Sequence, residues 1–351
     1  MPDPVTRLPV SAGTQRSAWA WLRHPLLRPV AALALLLLVD LLLVPGFFRL
    51  EIKDGHLYGS LVDIANRAAP LMLAALGMTL VIATRGIDIS VGAVVALAGT
   101  VAAVLIGGTM VIQDGVPHYA SRIPMIWALA AALGAALLCG AWNGVLVAGL
   151  KLQPIVATLI LMVAGRGVAQ LLTDGQIVTV YYQPFFFLGS GYLLGVPFAL
   201  YVVGAVAGLT ALLVNKTALG LFIQAVGINP VAARLAGVRT ATLVFSVYVF
   251  CSACAGVAGL MIASNIKSAD ANNAGLLLEL DAILAVTLGG TQLSGGQFSL
   301  AGSLVGALII QTLTYTIYSL GVPPEVNMVV KSVVVFIVCL AQSERFREHG
   351  A

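Results

Sequence analysis

Charge is what this sequence has least of. Lys and Arg number 18 and Asp and Glu 14, so 9% of the 351 residues are charged while 60% are hydrophobic. With a mean hydropathy of +1.02, that excludes a soluble globular domain of ordinary composition, in which roughly 25% of residues are charged. The net charge of +4 does not point to nucleic acid, because the basic residues stand singly at the ends of apolar runs and form no patch. Histidine is nearly absent, and His24, His56, His118 and His349 fall in loops or termini without metal-ligand spacing. Cysteine is equally scarce. Cys139, Cys251, Cys254 and Cys339 all lie in apolar segments, which excludes an extracellular disulfide framework. The formal C-x-x-C of Cys251 and Cys254 reads as two small side chains on one helix face. There is no G-x-x-x-x-G-K-[ST] loop, since Lys216-Thr217 and Lys331-Ser332 lack the preceding glycines. Nothing here forms a catalytic constellation. An enzyme is not expected, this chain is expected to bind no cofactor and no metal, and any ATP and magnesium used would be held by a partner chain.

What is present is a series of apolar runs of roughly 17 to 25 residues, separated by Gly, Pro or charge. They predict an all-α, polytopic membrane protein with about ten transmembrane helices. The expected spans are Leu26 to Phe47, Ala68 to Thr84, a third reaching about Ile112, Pro124 to Leu150, Pro154 to Leu172, Val196 to Val214, Ala241 to Ala263, a short Glu279 to Gly290, Phe298 to Leu320, and Asn327 to Gln342. The first run follows Arg7, Arg16, Arg23 and Arg28, is too long for a signal-peptide core, and reads as a retained anchor. Residues 1–25 are then a cytoplasmic segment, 26–342 the transmembrane domain and 343–351 a cytoplasmic tail. This parity places Arg85, Lys151, Lys216, Arg234 and Arg239 inside, and Arg49, Lys53, Arg67, Arg122 and Lys267 outside, a moderate positive-inside bias.

The loop 215–240 stands out. Asn229 reads as a helix N-cap, Pro230 as the first helical position, Val231 to Ala236 as about two turns, and Gly237 as the stop. Such a helix is roughly 10 Å long, too short to cross a bilayer. Its surface is mostly alanine, with Ala232 and Ala233 beside the single charge of Arg234, so it is suited to lie in a groove of another protein. The alternative is a helix that merely joins two spans.

An internal echo is visible in Gly86-Ile-Asp88-Ile-Ser90-Val-Gly92 and Gly290-Thr-Gln292-Leu-Ser294-Gly-Gly296. Interrupted helices in transporter repeats put backbone dipoles near the translocation path, which makes Asp88, Ser90, Gln292 and Ser294 candidates for substrate contact or gating. Asp88 and Ser90 could equally cap the following helix. Within the spans, polar residues are few: Asp40, Asn143, Arg166, Gln311 and Lys331. Charges in hydrocarbon are functional candidates because isolated ones are costly there. Arg166 carries the most weight, since flanking Gly165 and Gly167 permit close helix approach and a guanidinium can fork onto hydroxyls. It could instead snorkel outward or pair with an acid such as Asp174. Asp40 could pair with a neighbouring helix, and Lys331 could anchor at the interface.

These blocks resemble a known family. GIDISVG at 86–92, WNGVLV at 142–147, LQPIVATL at 152–159, GRG at 165–167, AVGINPVAARLAG at 225–237 and ELDAILAVTLGG at 279–290 are similar to the signatures of the membrane permeases of bacterial ABC sugar importers of the ribose, galactose and arabinose type. Within that family the likeness is to permeases of galactofuranose importers, on NRAAP at 66–70, VAGRGVAQLLTDGQIVT at 163–179 and ADANNAGLLLELDAI at 269–283. Two departures are Arg85, where the family more often has a small residue, and Gln292, where it commonly has a small hydroxyl. The resemblance implies a multi-pass permease in the bacterial inner membrane. Its partners would be an ATP-binding subunit, a second and different permease, and a periplasmic sugar-binding protein. It makes Gly227, Asn229, Pro230, Ala232, Ala233, Arg234 and Gly237 the coupling segment on which the ATPase docks. Two other classes stay open: a secondary sugar transporter driven by ions, with Asp40, Asp88 and Arg166 as relays, and a membrane receptor or scaffold that moves nothing.

Overall fold

The computed structural model describes residues 26–336 except 54, 108, 114–115, 324–325, 327, 331 and 334–335. The expected segments 1–25 and 343–351, most of the tenth span, and Lys331 and Cys339 therefore lie outside the described residues. The described chain is helical. Its elements are α1 (Leu27–Leu43), α2 (Ser60–Ala83), α3 (Val91–Ile106), α4 (Met125–Gly144), α5 (Pro154–Leu172), α6 (Gln183–Ser190), α7 (Phe198–Lys216), α8 (Leu219–Ile228), α9 (Pro230–Leu235), α10 (Thr240–Ile266), α11 (Leu278–Leu288) and α12 (Leu300–Ser319). A π-helical stretch, Val145–Gly149, prolongs α4. Among the described residues, six helices are long and apolar enough to cross a membrane: α2, α4 with its π-helical end, α5, α7, α10 and α12. Helices α3 and α11, with 16 and 11 residues, are shorter than the roughly 17 residues at which a spanning helix usually begins.

Several boundaries differ from the sequence expectation. The third apolar run stops being helical at Ile106, because Gly107 turns the chain at φ 50 and the Thr109–Gln113 strand pairs with Val116–Ala120. Helix α2 begins at Ser60 rather than at Ala68, since Asn66 and Arg67 find polar surroundings: Asn66 faces the Gly189 carbonyl at 3.5 Å and Arg67 lines a cavity. The loop 173–195 holds α6, and the loop 215–240 holds two helices rather than one.

At one end the chain is laced by short strands. Val178–Thr179 pairs with Ser268–Ala269, and the Leu57 amide donates to Gly195 O at 2.9 Å. At the opposite end the helix breaks around residues 85, 151 and 230 share one cavity wall.

Helix α2 is central, with 78% of its most apolar window buried, whereas α5 and α7 have 22% and 17% buried and turn most of their surface outward. Close approach of backbones builds the centre, as small residues do in membrane bundles. A Cβ on Gly259 of α10 would lie 2.3 Å from the Val95 carbonyl of α3, and one on Gly306 of α12 would lie 1.9 Å from the Ala285 carbonyl of α11. Cys251 and Cys254 are buried and free, with Gly77 packed on the Cys251 backbone. They behave as small packing residues.

Candidate functional site

Helix α9 forms where the sequence predicts it. Asn229 has extended backbone, and its side-chain Oδ1 accepts hydrogen bonds from the amides of Val231 and Ala232, both at 3.0 Å. Two of the orphan donors of a helix start are thereby satisfied, and Pro230 has no amide to satisfy. Gly237 follows the C-cap with φ 89, a conformation open to glycine at little cost. Residues Val231, Ala232, Arg234 and Leu235 are exposed, but Ala233 is buried against the rest of the chain. It seats α9 on the helices beneath. That outcome follows from a one-and-a-half-turn helix resting on a surface: only one residue per turn can point down.

Helix α8 was not evident in the sequence, and its end is where the two helix breaks meet. A Cβ on Gly227 would lie 2.0 Å from the Ala83 carbonyl and 2.4 Å from the Gly296 amide nitrogen. The Gly296 amide itself donates to Ala83 O at 2.9 Å. Arg85, at φ 65, donates through Nη2 to the Ile228 carbonyl at 2.6 Å. The end of α2, the end of α8 and the segment between α11 and α12 are thus stitched at one point, immediately before α9. Arg85 supports the first break by holding the C-terminal carbonyl of α8, a favourable place for a cation.

Asp88, Ser90 and Asn143 come together. Asp88 Oδ1 accepts from the Ser90 amide at 3.0 Å and from Ser90 Oγ at 2.6 Å, and Asn143 Nδ2 donates to Ser90 Oγ at 2.8 Å. All three are fully buried within the chain, so they line no open wall in this conformation and serve to hold the break between α2 and α3. Thr158 of α5 joins them, accepting from the Ile89 amide at 3.1 Å. Among the described residues Asn143 Oδ1 lacks a hydrogen-bond partner, as do the buried Tyr248 hydroxyl and Ser252 Oγ. Tyr248 and Ser252, one turn apart on α10, escaped the sequence reading because hydroxyls on an apolar span carry no charge to mark them.

Residues 60–339 match the family described as branched-chain amino acid transport system / permease component. The chain belongs to this permease family. It is 54% identical to the galactofuranose transporter permease protein YtfT of Escherichia coli K12, over 90% of this chain and 89% of that one. It is 37% identical to the fructose import permease protein FruF of Bifidobacterium longum, over 92% and 88% of the two chains. The identity is 35% to the ribose import permease protein RbsC of Escherichia coli K12, over 93% and 95%. No solved structure matches. The ion-driven transporter and the receptor readings give way, because these relatives are named as transporter or import permeases.

The remaining polar residues of the permease are dispersed. Gln292 and Ser294 are exposed at the second break, 3.5 Å apart through Ser294 Oγ and Gln292 Oε1. Arg166 pairs with no acid among the described residues. Its Nη1 donates to the carbonyls of Ala271, Asn272 and Ala274 at 3.2, 2.7 and 3.4 Å, and Gln170 Nε2 donates to Asn272 Oδ1 at 2.7 Å. Arg166 therefore pins the loop between α10 and α11. The flanking glycines do not bring helices together: a Cβ on Gly167 would meet nothing within 4 Å, and one on Gly165 would make only ordinary contact with Ala93. Asp40 is buried against α12 and accepts from Thr316 Oγ1 at 2.5 Å. Gln311 differs from all of these. It lines two cavities of about 390 and 340 Å³ that also share Thr314 and Tyr318. Asp63, Arg67 and Tyr315 border the first and Asp281 the second. Hydroxyl, amide, charge and aromatic faces together suit a polyhydroxylated ligand.

Proposed function

We propose that this permease forms the path for a monosaccharide, galactofuranose, through the bacterial inner membrane, with import driven by ATP and magnesium held in a partner ATPase. The observation that carries the coupling part is the stitched point at Gly227, Ala83 and Gly296. A force applied to α9 reaches both helix breaks through rigid backbone contact, the kind of rigid-body transmission that alternating access uses. On this reading α9 is cytoplasmic, and the residues before α1 and after the tenth span share that side. The spans number about ten, with α1, α3 and α11 joining the six long ones and most of the tenth expected span lying outside the described residues. The sugar reaches the cavities at Gln311 from a periplasmic binding protein, and a second, different permease completes the path along the outward-turned helices.

Support for the sugar is the identity to the galactofuranose permease relative together with the mixed polar and aromatic walls around Gln311. The test is Ala232→Glu in the complete complex reconstituted in proteoliposomes. Ala232 is exposed on α9, so the variant is expected to insert and fold normally while losing uptake and stimulated ATP hydrolysis. Normal uptake would remove α9 as the docking element. Uptake of ribose in preference to galactofuranose would remove the sugar and leave the transporter class standing.

A further inference from the structure

Three cations from three separate segments line one cavity of about 180 Å³: Arg85 after α2, Lys151 after the π-helical end of α4, and Arg234 of α9. No Asp or Glu stands on its wall, and among the described residues none of the three forms an ion pair. Arg85 and Lys151 both sit at positive φ, 65 and 58, where glycine would be the undemanding choice. Their hydrogen-bonding capacity is largely unspent. Arg85 gives one bond to Ile228 O and Arg234 one, at 3.4 Å, to Thr240 Oγ1, out of five N–H donors each. A further observation is independent of these charges. Tyr248, fully buried, lines the same cavity, and its hydroxyl has no hydrogen-bond partner. A buried donor without an acceptor is costly, and like charges gathered without a counter-charge repel. One anion in the cavity relieves both. Asp88 acts on Tyr248 electrostatically, but it lies off the cavity wall with Oδ1 committed to Ser90.

We propose that this cavity receives the carboxylate of an acidic side chain from the ATPase subunit, an inference that rests on α9 being the docking element. Helix α9 forms part of the cavity wall, through Pro230 and Arg234. On the same helix Val231 and Leu235 are 68% and 85% exposed, two apolar side chains that a docked protein would cover. A partner seated there sets its own surface within one helical turn of Arg234 on the cavity wall, and the charge it must present is negative. A free inorganic anion would fill the cavity and leave Val231 and Leu235 uncovered.

The test uses the whole complex in nanodiscs and Lys151, which is exposed, lies outside α9, and can be changed without touching its cap. Lys151→Gln is expected to weaken ATPase binding roughly tenfold at low salt and to flatten the dependence of Kd on salt. Lys151→Glu is expected to weaken it further and to be rescued by reversing one acidic residue of the ATPase to lysine. Unchanged Kd and salt slope in both Lys151 variants, with Ala232→Glu still blocking docking, would overturn the cavity assignment and spare the docking reading. Insensitivity of docking to all three variants would overturn both. An effect of Lys151→Gln that appears in phosphatidylglycerol nanodiscs and vanishes in phosphatidylcholine would make a lipid headgroup the occupant and overturn the carboxylate.

Discussion

Gly227→Ala tests whether the stitched point transmits force. In an open helix the exchange would stabilise the fold by about 1 kcal/mol, because alanine is the better helix former. Here the sign is expected to reverse. The new methyl carbon would stand 2.0 Å from the Ala83 carbonyl oxygen and 2.4 Å from the Gly296 nitrogen, where ordinary contact begins at 3.4 Å. Both neighbours are backbone, so no side chain can swing aside, and the α2 and α8 ends must part by about 1.4 Å. That opening breaks the 2.9 Å bond from the Gly296 amide to Ala83 O. Overpacking costs about 1 to 3 kcal/mol and the lost bond about 1 kcal/mol, so after the helix-propensity gain the net destabilisation is about 1 to 3 kcal/mol. The functional signature is uncoupling: ATP hydrolysed per sugar imported rises in proteoliposomes while ATPase binding persists. Gly134→Ala in α4, where a Cβ meets nothing within 4 Å, is the control and should leave both readouts unchanged. If Gly227→Ala matched that control in thermal midpoint and in coupling ratio, the transmission argument would fail.

Three further outcomes follow from the geometry. Asn143→Ala removes the donor to Ser90 Oγ and should lower stability by about 1 to 3 kcal/mol with the sugar KM unchanged; a shifted KM at unchanged thermal midpoint would return Asn143 to the path. Arg166→Ala removes the one guanidinium nitrogen, Nη1, that reaches three carbonyls. Amide exchange in residues 270–275 should rise severalfold, and unaltered exchange would count against the strut. Burial pushes the Asp270 carboxyl up, but hydrogen bonds from the Asn273 side chain and from the amides of Asn273 and Asn272, with the Arg166 charge, outweigh it and hold the carboxyl below its ordinary value of 3.8. Its stabilising contribution is therefore complete above the ordinary value and is lost only as pH falls through the lower folded one. Limited proteolysis across residues 268–277 should show the loop intact on passing pH 3.8 and opening below; opening at higher pH would contradict the assigned hydrogen bonds.

Much of the site was legible because α9 is a local object. The cap at Asn229, the proline after it and Gly237 act within one or two turns, so neighbours in the sequence suffice to predict them. Arg166 illustrates the opposite case. Its isolation in an apolar span marks it as important, yet sequence gives no means of telling a sugar hydroxyl from the carbonyls of residues 271–274, which lie 105 or more positions away. Gln311 carried the same weak mark as Asn143, and only burial separates them: Asn143 is sealed among helices while Gln311 faces two cavities.

The amino-acid sequence by itself determined that this protein lives in a membrane, that it carries no nucleotide loop, and that a capped helix too short to span interrupts it. Each follows from composition or from interactions between near neighbours. Only the tertiary structure decided that Gly227, Ala83 and Gly296 share one contact and that Arg85, Lys151 and Arg234 face one cavity. Those are juxtapositions of backbone and charge across as many as 213 positions of chain, from Ala83 to Gly296, and no periodicity records them. The scarcity of charge that excludes so much at the outset gives this last cluster its meaning, since three cations without an acid on their cavity wall call for one from outside.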